Sequence, residues 1–252
     1  MDIKVFQTAV ELGAAAADMA AQVLKAVIGE QGYARLLLST GASQFDTLKE
    51  LAARSDVEWG KVEMFHLDEY IGLPDGHPAS FRKYLEDRLT RFVRFKEVHF
   101  ISPEEGVADV IARLTEEIRK APIDLGIIGV GENAHIAFND PPADFESREA
   151  FFVVTLDERC KAQQMGEGWY KTLDEVPETA ISMTPYQIMQ CRRIISCVPY
   201  AVKAGAIKAM LETEGTTNMI PATLLKTHPA ITLMLDRDSA SQTDPKYLQT
   251  SK

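Results

Sequence analysis

The amino-acid sequence predicts an α/β fold with a mostly parallel sheet covered by helices on both faces, and three observations carry that prediction. Short apolar runs bounded by turn residues alternate along the chain with longer stretches whose apolar positions recur at helical spacing. One such run, 34–38, leads into Ser39-Thr40-Gly41-Ala42-Ser43 and then into helical spacing over 45–53. Another, 125–128, runs straight into Gly129-Val130-Gly131 and delivers His135, Asn139 and Asp140 just beyond. Both have the form of a buried strand ending in a tight glycine turn, and the carboxyl ends of such strands are where open α/β sheets bind ligands.

Size and composition agree. With 252 residues, 46% of them apolar, the chain can build one large α/β core or two small ones, and disorder and fibre are excluded. It shows no internal repeat, low-complexity linker or break in composition, so a single domain over 1–252 is expected. Residues 1–6 lack the basic-then-apolar order of a secretory leader, and no window approaches a run of uncharged apolar residues long enough to span a bilayer. A soluble, cytoplasmic protein with no membrane partner is expected, and Cys160, Cys191 and Cys197 fit a reducing compartment, having neither an even count nor a close CxxC pair. The net charge of −10 argues against nucleic acid but not against a small anion, which backbone N–H groups and one lysine can hold.

In chain order, 8–28 is an amphipathic helix ending near Gly29. The strand at 34–38, the loop 39–43 and the helix after it make a phosphate cradle, because the loop's N–H groups and the helix N-terminus point to one place. The plainer reading is a βα connection with Ser43 as N-cap, and the lysine of a Walker loop is absent. Residues 62–67 form the next strand and hand over Asp68-Glu69-Tyr70. Burying a carboxylate costs on the order of several kcal/mol unless it is paired or functional. Period-2 alternation sends Asp68 and Glu69 to opposite sides, so one can abstract a proton in a cleft while the other supports structure. A capping or salt-bridged pair is the alternative. Ser80 caps a helix through Tyr84, Leu85, Leu89 and Phe92; 98–101 reads as a strand and 104–119 as a helix with a solvated charged face.

Beyond Pro142, strands are expected at 151–156, 180–183, 193–198 and 230–235. A short helix at 157–165 carries Arg159, Lys161 and Gln164, and another lies at 220–225. The helix leading to Leu211 has Lys203 in its first turn, where a cation opposes the helix dipole unless an anion is near; a solvated surface lysine is the alternative. The polar tail from Asp236 is expected to fray or to pack locally. No metal is expected, since His66, His77, His99, His135 and His228 show no i, i+4 ligand pairing.

Taken together, FHLDEYIGLPDGHPASF at 65–81 and GVGENAHIAFNDP at 129–141 closely resemble the two signatures of the glucosamine-6-phosphate deaminase (isomerase) family. The resemblance runs from the Ser39-Thr40-Gly41 loop to the Lys203 helix and Ile220-Pro221-Ala222. It implies a three-layer αβα sandwich of Rossmann-like form, no cofactor, and conversion of glucosamine 6-phosphate and water to fructose 6-phosphate and ammonia. It further implies that Asp68 moves the C2 proton to C1, and that His135, held by Asp140, assists ring opening. Thr40, Gly41, Ala42 and Ser43 would cradle the phosphate with Lys203 as counter-charge, and Glu69 belongs with the substrate-binding set. Asn133 stands where many members have Asp; it carries no proton but can orient a sugar hydroxyl or the substrate nitrogen. Ala134 replaces a usual glycine and must avoid a glycine-only conformation or bear strain. Gln164 falls where allosteric members place a phosphate-contacting Arg, and Ala150 and Phe152 where they place basic effector ligands, which implies no amino-sugar activation of the familiar kind.

The partner implied is a small sugar phosphate, with the homo-oligomers common in the family a further expectation. Galactosamine 6-phosphate is the nearest rival substrate and lactone hydrolysis, as in the related 6-phosphogluconolactonases, a more distant one. A non-catalytic sugar-phosphate sensor is the reading from another class, disfavoured by the acidic balance and the lack of a helix-turn-helix.

Overall fold

The computed structural model describes residues 1–74, 76–166 and 168–249, with only the backbone described at Arg159 and Gln163. The first half of the chain runs β1 (Asp2–Phe6), α1 (Ala9–Gln31), β2 (Ala34–Leu38), α2 (Phe45–Ala52), β3 (Val62–His66), β4 (Asp68–Tyr70), α3 (Phe81–Leu85), β5 (Glu97–His99), α4 (Val107–Arg119) and β6 (Leu125–Ile128). The second half runs β7 (Phe151–Thr155), α5 (Glu158–Gly166), β8 (Thr179–Met183), α6 (Pro185–Ile188), β9 (Ile194–Val198), α7 (Ala204–Glu212), β10 (Ile231–Asp236) and α8 (Arg237–Ala240). Seven strands form one parallel sheet in the order β1-β10-β9-β6-β2-β3-β5.

Period-2 alternation divides the core into the two interfaces of a three-layer sandwich. Leu36, Leu38, Met64, Leu125, Ile127 and Met234 pack with Leu12 to Ile28 of α1 and with Leu48 and Leu51 of α2. Leu37, Phe65, Ile128, Ile194, Leu233 and Leu235 pack with Val110, Leu114 and Ile118 of α4 and with Ile207 and Met210 of α7. The mostly parallel sheet with helices on both faces is therefore present. By length and composition α1 is apolar enough to cross a membrane, but its buried face lies against α2 and the sheet.

Several local expectations are corrected. Residues 62–67 and the carboxylates after them are not one strand. Leu67 N–H donates to Leu38 O at 3.2 Å, closing β3 against the large sheet, while Leu67 O accepts from Met183 N at 2.7 Å, opening a second sheet. That second sheet is antiparallel, β4-β8-β7, so the runs at 151–156 and 180–183 leave the parallel set. Apolar patterning reports which residues are buried, not which strand they pair with. β1 gave no apolar signal because it is an edge strand with only Ile3 buried. α1 continues past Gly29 to Gln31, because Gly32 takes the left-handed C-cap, φ 86°, and donates to Ile28 O at 2.9 Å. Ser43 is not an N-cap: it lies inside a 3₁₀ turn, Ala42–Gln44, that feeds α2 without a side-chain cap. The tail does pack locally, through a capping box between Asp236 and Ser239.

The packing of α1 on α2 yields a paired prediction. A Cβ at Gly13 would stand 2.5 Å from Asp46 Cβ and 2.8 Å from its carbonyl carbon, whereas one at Gly29 meets nothing within 4 Å. Gly13→Ala is expected to lower the unfolding free energy by roughly 1–3 kcal/mol through overpacking. Gly29→Ala should raise it by roughly 0.5–1 kcal/mol. Urea unfolding of both variants at unchanged m-value checks the contrast, and similar shifts in the two would contradict the close approach.

Candidate active site

β2 leads outward through β3 to β5, while its neighbour β6 leads the other way through β9 to β10 and β1. The two carboxyl ends therefore send their loops apart, which is the topological switch point where α/β sheets open a crevice. A cleft of about 790 Å³, open mouth included, lies there. It is lined by 39–43 after β2, Leu67 and Asp68 at the seam of the two sheets, 129–132 and His135 after β6, and Tyr200, Val202 and Lys203 after β9. Phe81, Ala137, Phe138 and Gln164 complete the lining.

At one end stands the turn after β2. Gly41 has φ 94° and ψ 168°, a combination open only to glycine, and its carbonyl is pinned by the Tyr84 hydroxyl at 2.8 Å. No side chain caps the 3₁₀ turn that follows, which leaves the helix start free to act as an anion seat. Lys203 is buried, immediately before α7, and lines the same cleft. The turn that presents it holds Tyr200 at φ 80°, a strained value for a tyrosine, offset by two hydrogen bonds from its N–H to the Asp236 carboxylate at 3.0 and 3.1 Å.

The two carboxylates at the seam have opposite fates. Glu69 accepts hydrogen bonds from the Ser80 hydroxyl at 2.8 Å and from the backbone N–H groups of Tyr70, Phe81 and Arg82 at 2.9, 3.1 and 2.8 Å. It is the N-terminal clamp of α3 and takes no part in lining the cleft, so its placement among substrate-binding residues is corrected: its acceptor sites are already filled. Burial still pushes its carboxyl above the ordinary range, against the pull of those four donors. Asp68 is 6% exposed, lines the cleft, and receives no side-chain hydrogen bond among the described residues. Burial, with the Glu69 charge adding, raises its carboxyl well above the ordinary range.

His135 sits on a loop folded onto itself. Gly131 N–H donates to His135 O at 2.9 Å and Ala134 N–H to Gly131 O at 3.0 Å. A Cβ at Gly131 would stand 2.2 Å from His135 Nε2, so only glycine lets the imidazole lie over that turn. Ala134 bears the strain anticipated, at φ 65°, and its carbonyl accepts from Ala222 N–H at 2.8 Å, which brings the 220–222 segment in as a brace. His135 Nδ1 is 3.0 Å from Asp140 Oδ1. Asn133 does not reach into the cleft: its Oδ1 accepts from His135 N–H at 3.1 Å and its Nδ2 donates to Asp140 at 2.7 Å. Each end of its amide thus makes one bond within the loop, and one lone pair and one N–H lie outside those two contacts. Burial acts to raise the Asp140 carboxyl. The His135 hydrogen bond and charge, the Asn133 amide and the Cys160 thiol outweigh it and hold the value at about 2.

Residues 7–233 match the family described as glucosamine-6-phosphate isomerases/6-phosphogluconolactonase. The chain belongs to that family. Among its relatives, a glucosamine-6-phosphate deaminase of Lactobacillus delbrueckii subsp. bulgaricus is 34% identical over 244 residues, covering 96% of this chain and 99% of its own. One from Thermoanaerobacter pseudethanolicus is 34% identical over 229 residues, 88% of each chain. The solved structure of a monomeric glucosamine-6-phosphate deaminase superposes with a TM-score of 0.83 at 27% identity, covering 96% of this chain and 100% of that one. The 6-phosphogluconolactonase of Trypanosoma brucei shares the fold, with a TM-score of 0.76 at 15% identity over 96% and 98% of the two chains.

In this member of the isomerase family, Thr40, Gly41, Ala42, Ser43, Asp68, His135 and Lys203 converge on one cleft. Asp140 and Asn133 stand behind His135, and Glu69 stands apart. Tyr200 and Cys160 had no sequence signal, because each is brought in by packing between elements distant in the chain.

Asp68 supplies a prediction. Its folded-state pKa lies above its unfolded value, so folding takes up a proton and stability falls as pH rises from the ordinary carboxylate range toward the raised value. Asp68→Asn removes that fall and is expected to melt about 2–4 °C above wild type at neutral pH, a shift of the size typical for removing one unfavourable group. The gain should vanish below the ordinary carboxylate range. Thermal melts across pH check this; a variant less stable than wild type at neutral pH would show that the chain itself compensates the ionised carboxylate.

Proposed function

We propose that the protein is an amino-sugar phosphate isomerase-deaminase that converts glucosamine 6-phosphate and water to fructose 6-phosphate and ammonia. The observation that carries this reading is the convergence of a buried carboxylate with no side-chain partner among the described residues, Asp68, and a carboxylate-held imidazole, His135, on a cleft with an uncapped glycine turn and Lys203. A phosphate seated on the turn at 40–43 and matched by Lys203 fixes the sugar's far end. His135 transfers a proton at the ring oxygen and opens the pyranose, with Asp140 fixing the tautomer and supporting the imidazolium. Asp68 then takes the C2 proton and returns it to C1, turning the open-chain amino aldose into a ketose imine. Water adds at C2 and ammonia leaves.

The raised pKa of Asp68 suits this sequence. An isolated buried carboxylate is a costly anion, and the ammonium of the amino sugar offers it the counter-charge that the chain withholds. The same step needs no redox cofactor, since the isomerisation moves one proton and the deamination consumes only water. A cytoplasmic location is supported by three free, buried cysteines.

Two experiments test the roles. Purified protein given glucosamine 6-phosphate should release ammonia, which lactone hydrolysis cannot do, and Asp68→Asn should lower exchange of the C2 proton with solvent by at least about 100-fold. Retained exchange would move the base elsewhere. His135→Gln should slow turnover by roughly 100-fold on the cyclic substrate and much less on an open-chain analogue. Equal losses on the two would contradict a ring-opening role.

A further inference from the structure

Outside the cleft, the turn after β2 is tied to α3. Tyr84 is 4% exposed, does not line the cleft, and its hydroxyl reaches the Gly41 carbonyl at 2.8 Å. A carbonyl can only accept, so the phenolic proton is committed to this bond. The same carbonyl takes the Gln44 N–H at 3.0 Å, which closes the 3₁₀ turn. The two donors fill both of its lone pairs and fix the plane of the peptide between Gly41 and Ala42.

The orientation of that plane matters because of what lies on its other edge. In a trans peptide the C=O and the N–H of the next residue point in opposite directions. A Gly41 carbonyl turned to α3 therefore turns the Ala42 N–H away from α3, to the side on which Ala42 and Ser43 line the cleft. Neither of those two N–H groups has a partner among the described residues. Gly41 does not set the plane by itself, since a residue with no Cβ at φ 94° has a wide range of ψ open to it. The orientation is imposed from outside, and the Tyr84 hydroxyl is the side-chain group that imposes it.

Tyr84 is well held for that task. Its ring stacks on Phe45, the first residue of α2, with centroids 5.7 Å apart and planes 21° from parallel. The Arg88 guanidinium lies over the Phe45 and Tyr84 rings at 4.4 and 4.5 Å and clasps the two helices together. At the other end, Tyr84 N–H donates to Ser80 O at 2.9 Å, and Ser80 is the residue whose hydroxyl Glu69 holds. The phenol is thereby anchored to β4, the strand that carries Asp68.

We propose that Tyr84 is a positioning residue of the anion seat, whose hydroxyl holds the peptide between Gly41 and Ala42 with its N–H aimed at the phosphate of the ligand. It does not touch the ligand and takes no part in proton transfer. The inference rests on the sugar-phosphate reading of the cleft and adds to it a residue that lies outside the cleft.

Tyr84→Phe removes one oxygen and keeps the ring between Phe45 and Arg88, so it tests the bond and not the packing. Binding of inorganic phosphate, and of fructose 6-phosphate in ammonia-free buffer, should weaken in parallel by about three- to tenfold, the size of one net hydrogen bond. With glucosamine 6-phosphate, KM should rise by the same factor while kcat stays within about twofold, because the weakened contact grips the ligand's far end equally in ground and transition states. A generally loosened site would lower kcat as well. Amide resonances give a second readout that needs no variant: saturating inorganic phosphate should shift the Ala42 N–H of wild type, and in Tyr84→Phe that shift should shrink. An Ala42 amide indifferent to phosphate, an unchanged Kd in Tyr84→Phe, or a loss in kcat alone overturns the inference. Phosphate binding is read without turnover, so the two readings fail separately. Wild type that binds phosphate at Ala42 but releases no ammonia sinks the deaminase reading alone, and ammonia release with an unaffected Tyr84→Phe sinks this inference alone.

Discussion

Leu67 is hydrogen-bonded to two sheets at once, and the site depends on that seam. Its N–H closes the ladder on β2 and its carbonyl opens the ladder with β8, so the residue after it is held at the junction where a parallel and an antiparallel sheet part. Asp68 is that residue. Its backbone is paired with Ser182 while its side chain projects into the space the sheets leave between them. A carboxylate on a loop could reach the same place, but it would keep its water; one fixed at a seam is stripped of water by the strands on either side.

The consequence is a division of labour between adjacent residues. Glu69 points the other way and is satisfied by four donors at the start of α3, so its charge is spent on holding that helix against the second sheet. Asp68 receives none among the described residues, and its ionised form is correspondingly costly. A costly ionised carboxylate kept at Asp68 is the pattern expected where a side chain is kept reactive.

The loop that brings His135 opposite carries strain of a different kind. Ala134 at φ 65° and Ala137 at φ 51° both occupy backbone space that costs an L-residue about 1 kcal/mol or more. Asn139 anchors the stretch by donating to Ile136 O and Met183 O at 2.7 and 2.9 Å, and Ala222 braces it from the far side. Asn133, Asp140 and Cys160 then hold the imidazole from behind, so its orientation is set by the loop and α5 together.

How much of this was legible beforehand follows from what each signal measures. Hydrophobic periodicity located most of the strands and helices, and the two glycine turns marked both loops of the cleft, Gly41 through its positive φ and Gly131 through the room it leaves for the imidazole. Alternation alone foretold that Asp68 and Glu69 part company. Which of the two carboxylates would be satisfied, that the strand carrying them would leave the parallel sheet, and that Gln164 and Cys160 would arrive from α5 were decided only by tertiary contact. Those outcomes depend on Ser80, Met183, Tyr70 and Asp140, partners lying 11 to 116 residues away, and no pattern along the chain encodes a partner reached through folding.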